Sequence, residues 1–287
     1  MITKTRTMKK TLVLIAAAVG LAMASPAMAA GGAKHPRSGG YTFDGPFGSF
    51  DQGQLQRGYK VYREVCASCH GMDMLHFRTL AEPGGPFYDA HQANPAANRF
   101  VKALAAEIQI ADIDSETGEA IMRDGIAADR FPHPYPNATA AAAGNGGAVP
   151  PDLSVITKAR HGGADYIYSL LTGYTDAPAG LQIRDGQHYN PYMPGDMTPF
   201  WTGQGHVPEG GFIAMPPPLS DGQVTYDDGS AQTVDQYAKD VSAFLAWASE
   251  PKQVQRKQAG VGVMIFLFLF AGVTYMSYRQ IWKGVGH

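Results

Sequence analysis

The chain of 287 residues contains two cysteines, and both fall in Cys66-Ala67-Ser68-Cys69-His70. Cys-x-x-Cys-His is the spacing of a c-type haem attachment site. Two thiols about one helical turn apart can add across the two vinyl groups on one porphyrin edge. The imidazole that follows can then swing under the ring and reach the iron. Holding haem uses both thiols, so none is left for a disulfide. The other uses of this spacing fit less well. A redox dithiol belongs in a βαβ unit, and no such pattern surrounds these residues. A tetrahedral zinc site needs four ligands, and the remaining histidines, His133 and His161 among them, form no His-x3–5-His pair. One covalently bound haem c is the expected cofactor, with His70 as an axial ligand.

The second axial ligand decides the chemistry. A thioether closes the iron and raises its potential, which suits electron transfer; an open position suits ligand binding. Met72 and Met74 lie too near His70 to cross the ring plane, and Met122 sits in an acidic, hydrophilic stretch. Met193 and Met197 are candidates in the loop 189–198. Met215 is better placed, in Ile213-Ala214-Met215-Pro216-Pro217-Pro218-Leu219. Each proline fixes φ, so less entropy is lost in holding the sulfur. The expected metal ligands are therefore His70 and Met215.

Two helices must position these groups. Leu55, Gly58, Tyr59, Tyr62 and Val65 share one face of a predicted helix over 51–65, with Ser49 or Asp51 as its cap. That helix runs straight into the haem motif. Val234, Tyr237, Ala238, Val241, Phe244, Leu245 and Ala248 follow helical spacing over 233–249, with Thr233 as cap and Pro251 beyond the end. A helix leading into Cys-x-x-Cys-His and an amphipathic helix near the C-terminus are the framework of small cytochromes c. Gly58 is expected to face Phe244 or Trp247 where the two cross. Between them the chain is expected to be mostly loop. It has a helix over 97–110, an Ala/Gly-rich stretch at 138–148, short helices over 153–160 and 165–172, and little regular structure over 173–232. The fold class is mainly α with long loops: a cytochrome c-like haem domain and one C-terminal transmembrane helix.

The ends of the chain address it to a membrane. Lys4, Arg6, Lys9 and Lys10 precede a short apolar run, and Ala27-Met28-Ala29 fits a small-residue cleavage site. Residues 1–29 read as a signal peptide and 30–250 as an exported domain that starts with an extended arm over 30–48. Residues 259–278 carry no charge. At about 1.5 Å per residue they cover about 30 Å, the thickness of a bilayer's hydrocarbon core. With their basic flanks they make 251–280 the anchor. The tail 281–287 would then be cytoplasmic and the haem domain periplasmic, on a bacterial inner membrane. Basic residues number 23 and acidic ones 25. Four of the bases lie in the leader, which has no acid, so the exported chain would carry 19 against 25, a net of −6. An acidic domain argues against nucleic acid and for basic partners. Asp112, Asp114, Glu116, Glu119, Asp124 and Asp129 form an acidic run that is either a solvated loop or a docking face.

Several blocks carry a more specific resemblance. Leu55-Gln56-Arg57-Gly58-Tyr59-Lys60-Val61-Tyr62, Pro132-His133-Pro134-Tyr135-Pro136-Asn137, Pro150-Pro151-Asp152-Leu153-Ser154 and Ala159-Arg160-His161-Gly162-Gly163-Ala164-Asp165-Tyr166 resemble the cytochrome c1 family. So do Tyr189-Asn190-Pro191-Tyr192, Ala214-Met215-Pro216-Pro217 and Trp247-Ala248-Ser249-Glu250-Pro251. The resemblance implies thioethers at Cys66 and Cys69 and axial bonds from His70 and Met215. It implies a haem propionate at Arg160, haem-edge contacts at Tyr166 and Asn145, and Pro150 and Pro151 lining the His70 side. It also implies a role: the electron-transfer subunit of a dimeric quinol–cytochrome c oxidoreductase, the bc1 complex. Its partners would be cytochrome b, the Rieske iron–sulfur protein and a soluble cytochrome c. A stand-alone anchored monohaem carrier serving an oxidase or reaction centre would share the haem features but not these blocks. A haem sensor would leave Met215 unligated. The chain departs from some relatives in lacking an extra cysteine pair and in carrying the insertion-like stretch 200–211.

Overall fold

The computed structural model describes residues 32–284. The expected signal peptide lies outside that range. In chain order the helices are α1 (Gln52–Glu64), α2 (Arg99–Ala106), α3 (Ala138–Gly144), α4 (Ile156–Ala159), α5 (Gly163–Leu171), α6 (Val234–Ser249) and α7 (Gln253–Ile281). Two short antiparallel pairs interrupt the loops: β1 (Gln109–Ile113) with β2 (Ala120–Asp124), and β3 (His188–Asn190) with β4 (Gly211–Ile213). The expected fold class, mainly α with long loops and one long apolar helix at the end, is what the chain adopts.

α1 starts where Asp51 accepts the Gln54 N–H at 2.7 Å, and α6 where Thr233 accepts the Gln236 N–H at 3.3 Å. Such caps satisfy donors that the first helical turn leaves free. The two helices cross closely at Gly58. A Cβ there would stand 2.7 Å from the Phe244 Cβ and would overlap the Asp240 carbonyl. Of the two partners expected for Gly58, Phe244 is the one it meets. Beside the crossing, Arg57 donates from Nε to the fully buried Asp240 carboxylate at 2.9 Å. Gln236 donates to the other Asp240 oxygen at 2.9 Å. Tyr59, Tyr62, Phe244 and Trp247 pack together over this junction. α4 and α5 also rest on α6.

The middle of the chain differs from expectation in places. The helix expected over 97–110 stops at Ala106, and Gln109 opens a β-hairpin. Asn98 caps that helix through the N–H groups of Phe100 and Val101. The hairpin prevails beyond Ala106 because Asp114 accepts the N–H groups of Glu116 and Thr117, and Gly118 supplies the φ of +74° that the turn needs. The acidic run is therefore a hairpin with its approach, not a plain loop. Arg123 reaches both Asp112 and Asp129, which neutralises part of its charge. The expected helix over 153–160 is reduced to Ile156–Ala159, and the one over 165–172 begins earlier, at Gly163.

α7 has a mean hydropathy of 2.1 over its most apolar part, and none of that part is buried against the rest of the chain. Side chains such as Phe268 and Leu269 stand fully clear of the domain. A helix apolar all round needs an apolar solvent, and this one fits a membrane anchor. Its first turns are fastened to the head. Lys257 donates to the Phe43 carbonyl at 2.6 Å, Gln255 to the Pro83 carbonyl at 3.3 Å, and Lys252 pairs with Glu82 at 3.2 Å.

The crossing makes a direct prediction. Gly58→Ala gains about 1 kcal/mol of helix propensity but forces α1 and α6 apart, at a cost of about 1–3 kcal/mol or more. The net effect should be destabilising. Asp240→Asn should cost about 3 kcal/mol by unpairing Arg57. Thermal unfolding of the haem-loaded protein, followed by circular dichroism, measures both; an unchanged midpoint for Gly58→Ala would contradict the close crossing.

Candidate haem site

The last residues of α1 lead into a tight turn over Cys66–Ser68, where the N–H groups of Cys69 and His70 both donate to the Cys66 carbonyl, at 3.1 and 2.9 Å. This brings the two thiols and the imidazole onto successive positions of one turn. Both cysteines are free thiols. Cys66 packs against the main core. Burial, aided by the nearby Cys69, pushes its thiol up to about 12. A dithiol poised for exchange has its thiolate stabilised, so the redox-dithiol alternative finds no support here.

His70 is half-buried. Its Nδ1 lies 2.8 Å from the Pro151 carbonyl oxygen. A carbonyl can only accept, so Nδ1 carries the proton and donates it. That fixes the tautomer and leaves Nε2 with its lone pair free. Burial holds the His70 pKa below its usual value, while the Pro151 hydrogen bond works in the opposite direction. The neutral, metal-competent form is thus favoured. Tyr62 adds a long hydrogen bond to the His70 carbonyl at 3.4 Å.

The three candidate methionines part company. Met197 is buried in a satellite cluster with Leu181 and Tyr189. The Met193 sulfur accepts the Tyr166 hydroxyl at 3.6 Å. Met215 follows β4 and is half-buried, and its backbone carbonyl accepts the Tyr174 hydroxyl at 3.0 Å. No hydrogen bond among the described residues engages the Met215 sulfur. The loop is held by its backbone and its prolines, and the thioether is left available.

Arg160 is exposed, and the only hydrogen bond its guanidinium makes among the described residues is to the Ala159 carbonyl at 3.2 Å. Among the described residues it forms no ion pair with a carboxylate. Tyr166 is buried, and that burial raises its pKa, with the charge of Arg160 acting against the rise. Asn145 ends α3, where its amide donates to the Ala141 carbonyl at 2.7 Å. Pro150 is half-buried and Pro151 exposed.

Residues 41–285 match the family model for the cytochrome c1 family. The chain belongs to the cytochrome c1 family. Rhodospirillum rubrum cytochrome c1 is 38% identical over 290 residues, which is 93% of this chain and 97% of that relative. A mitochondrial cytochrome c1 haem protein of Arabidopsis thaliana is 45% identical over 238 residues, 83% of this chain and 69% of its own length. A protein of Bradyrhizobium diazoefficiens described as cytochrome b/c1 is 45% identical over 270 residues. There the match takes in 88% of this chain but 36% of the relative, so the chain spans about a third of that longer protein.

Membership of the cytochrome c1 family implies a covalently attached c-type haem, and the residues present fit one. Two free thiols on one turn, an imidazole with Nδ1 already engaged and an available thioether make the required donor set. Sequence reasoning did not single out Gly71 or Asp73, although their backbone groups join the haem-motif loop to Leu153 and Asp152 in the loop that carries Pro151, and it did not link His133 to Asp73. The Pro150–Ser154 block was recognisable as a block. The resemblance implied Pro150 and Pro151 beside His70, but nothing in the block signals that Asp152 and Ser154 also accept the N–H groups of Asp73 and Met74.

If the two thiols hold haem, the double variant Cys66→Ala/Cys69→Ala should lose it to acidified organic solvent, while the parent chain keeps it. Haem-dependent staining of a denaturing gel makes the comparison. A stained band for the double variant would contradict thioether attachment.

Proposed function

We propose that the chain is the membrane-anchored haem subunit of a quinol–cytochrome c reductase. It takes one electron from the Rieske iron–sulfur protein and passes it to a soluble cytochrome c. The observation that carries the reading is the Cys66–His70 turn with its imidazole already tied through Nδ1, set in a head fastened to an apolar helix long enough to span a bilayer. The names of the relatives, cytochrome c1 and cytochrome b/c1, support placement beside a cytochrome b.

Bound haem, one per chain, supplies a one-electron Fe(III)/Fe(II) couple; the protein's part is to hold, tune and expose it. Cys66 and Cys69 carry the thioethers. His70 and Met215 would hold the iron, and a His/Met ligand pair would raise the potential toward that of an electron carrier. Arg160, charged and with no ion pair to a carboxylate among the described residues, suits bidentate pairing with a propionate. Tyr166 and Asn145 stand at the haem edge. Pro150 and Pro151 line the His70 side. No bond of a substrate is made or broken by this subunit.

The domain boundaries follow the same logic: 1–29 a leader, 30–250 the haem domain, 251–280 the anchor and 281–287 a tail. The haem domain faces the periplasm of a bacterial inner membrane and the tail the cytoplasm. α7 packs beside cytochrome b in a dimeric complex. The hairpin of β1 and β2 keeps Glu116 and Glu119 exposed at its turn, which suits a basic cytochrome c more than an acidic partner.

The axial assignment has a clean test. Met215→Leu should open the iron, so that the reduced protein binds carbon monoxide at neutral pH. Met193→Leu and Met197→Leu should leave it closed. Visible spectra of the three variants with and without carbon monoxide give the answer. Carbon monoxide binding by Met193→Leu or Met197→Leu, with Met215→Leu still closed, would overturn the assignment.

A further inference from the structure

Residues 70–74, which follow the second cysteine, run alongside 151–154 and are joined to them by a short ladder. His70 Nδ1–H donates to the Pro151 carbonyl at 2.8 Å. The Leu153 N–H donates to the Gly71 carbonyl at 2.8 Å. The Asp73 N–H donates to Asp152 Oδ2 at 3.0 Å. The Met74 N–H donates to Ser154 Oγ at 3.1 Å. Asp152 is the hinge pin of this ladder, because its other oxygen accepts the Ser154 N–H at 2.8 Å and so shapes its own loop as well. Burial alone would raise its pKa. The hydrogen bonds from Ser154 and Asp73 outweigh that, and the group stays below the usual carboxylate range. It is an ionised, acceptor-only group between two N–H donors.

The approach of the two loops depends on Gly71. A Cβ there would stand 2.7 Å from His133 Nδ1 and 3.2 Å from Asp152 Oδ2. The outer side is closed by His133, whose Nε2 lies 3.0 Å from Asp73 Oδ2, and by Arg130, which donates to the Asp73 carbonyl at 3.1 Å.

We propose that Asp152 is a positioning residue for the iron-ligating imidazole: it holds the Pro151 carbonyl on His70 Nδ1. The inference rests on the haem reading above. A hydrogen bond from Nδ1–H to a carbonyl makes the imidazole a stronger donor at Nε2 and fixes its plane. A stronger donor favours Fe(III) and lowers the potential. Pro151 is exposed, so without the pin its carbonyl is free to leave His70 for water.

The test is a potentiometric titration of the c-type haem in the intact membrane complex. Asp152→Ala removes both acceptors. Asp152→Asn keeps one, and covers the case in which the alanine variant fails to assemble. Asn98→Ala, which removes the cap of α2 and no bond of the ladder, is the control for general loosening. Asp152→Ala should raise the midpoint enough that the ratio of reduced to oxidised haem, read at the parent midpoint, rises at least threefold. Asp152→Asn should fall between the alanine variant and the parent, and Asn98→Ala should match the parent. Parent-like midpoints in both Asp152 variants, or an equal shift in Asn98→Ala, would overturn the proposal. Absence of covalent haem from the parent chain would instead remove the haem reading itself.

Discussion

Everything else in the head depends on how closely α1 and α6 approach at Gly58. The missing side chain lets the Asp240 carbonyl and the Phe244 Cβ come to the α1 backbone. The buried Arg57–Asp240 pair then fixes rotation and register, because removing either partner would strand a charge. α1 has no break between this crossing and the Cys66–Ser68 turn beyond the single residue Val65. The position of both thiols and of His70 is thus set by helix packing eight to twelve residues upstream, about two to three helical turns.

The rest of the site is built from loops, and the loops are held by individual side chains. Few of them contain repetitive hydrogen bonding, so each needs its own fastening. Asp152 and Ser154 fasten 151–154 to 70–74. Tyr174 fastens Met215 through its carbonyl. Asn190 fastens the 189–193 turn to the end of α5 through the Leu170 carbonyl at 2.8 Å. A polar group buried in this way is stable because it is paired. Bound haem would add a large apolar surface between these segments, and its burial would stabilise loops that make only a small core of their own.

The sequence carried the two framework helices plainly, because burial of one helical face writes a 3.6-residue period into the residues. It also carried the thiols, the imidazole and the anchor, each of which is a local pattern. It misplaced the end of α2. Ile108 and Ile110 continue a helical period on paper, but the Asp114 and Gly118 turn drives the segment into a hairpin with a partner strand that no local period reveals. Met215 was preferred to Met193 and Met197 on proline content, and the structure adds a reason invisible in sequence: the Met193 sulfur already meets Tyr166, and Met197 is packed away. The Asp152 ladder was hidden for a similar cause. Its bonds link positions 79 and 80 residues apart, and no spacing rule reaches that far.

The anchor and head act as one piece where Lys257, Gln255 and Lys252 bind the head's carbonyls and Glu82. That fastening matters for the central claim, that this head works at the membrane beside a cytochrome b. The most direct measurement is a reduced-minus-oxidised visible spectrum of the tagged chain drawn from membranes in mild detergent. The account predicts b-type haem bands together with the covalent c-type band. A stable, monodisperse preparation with c-type haem alone would contradict it.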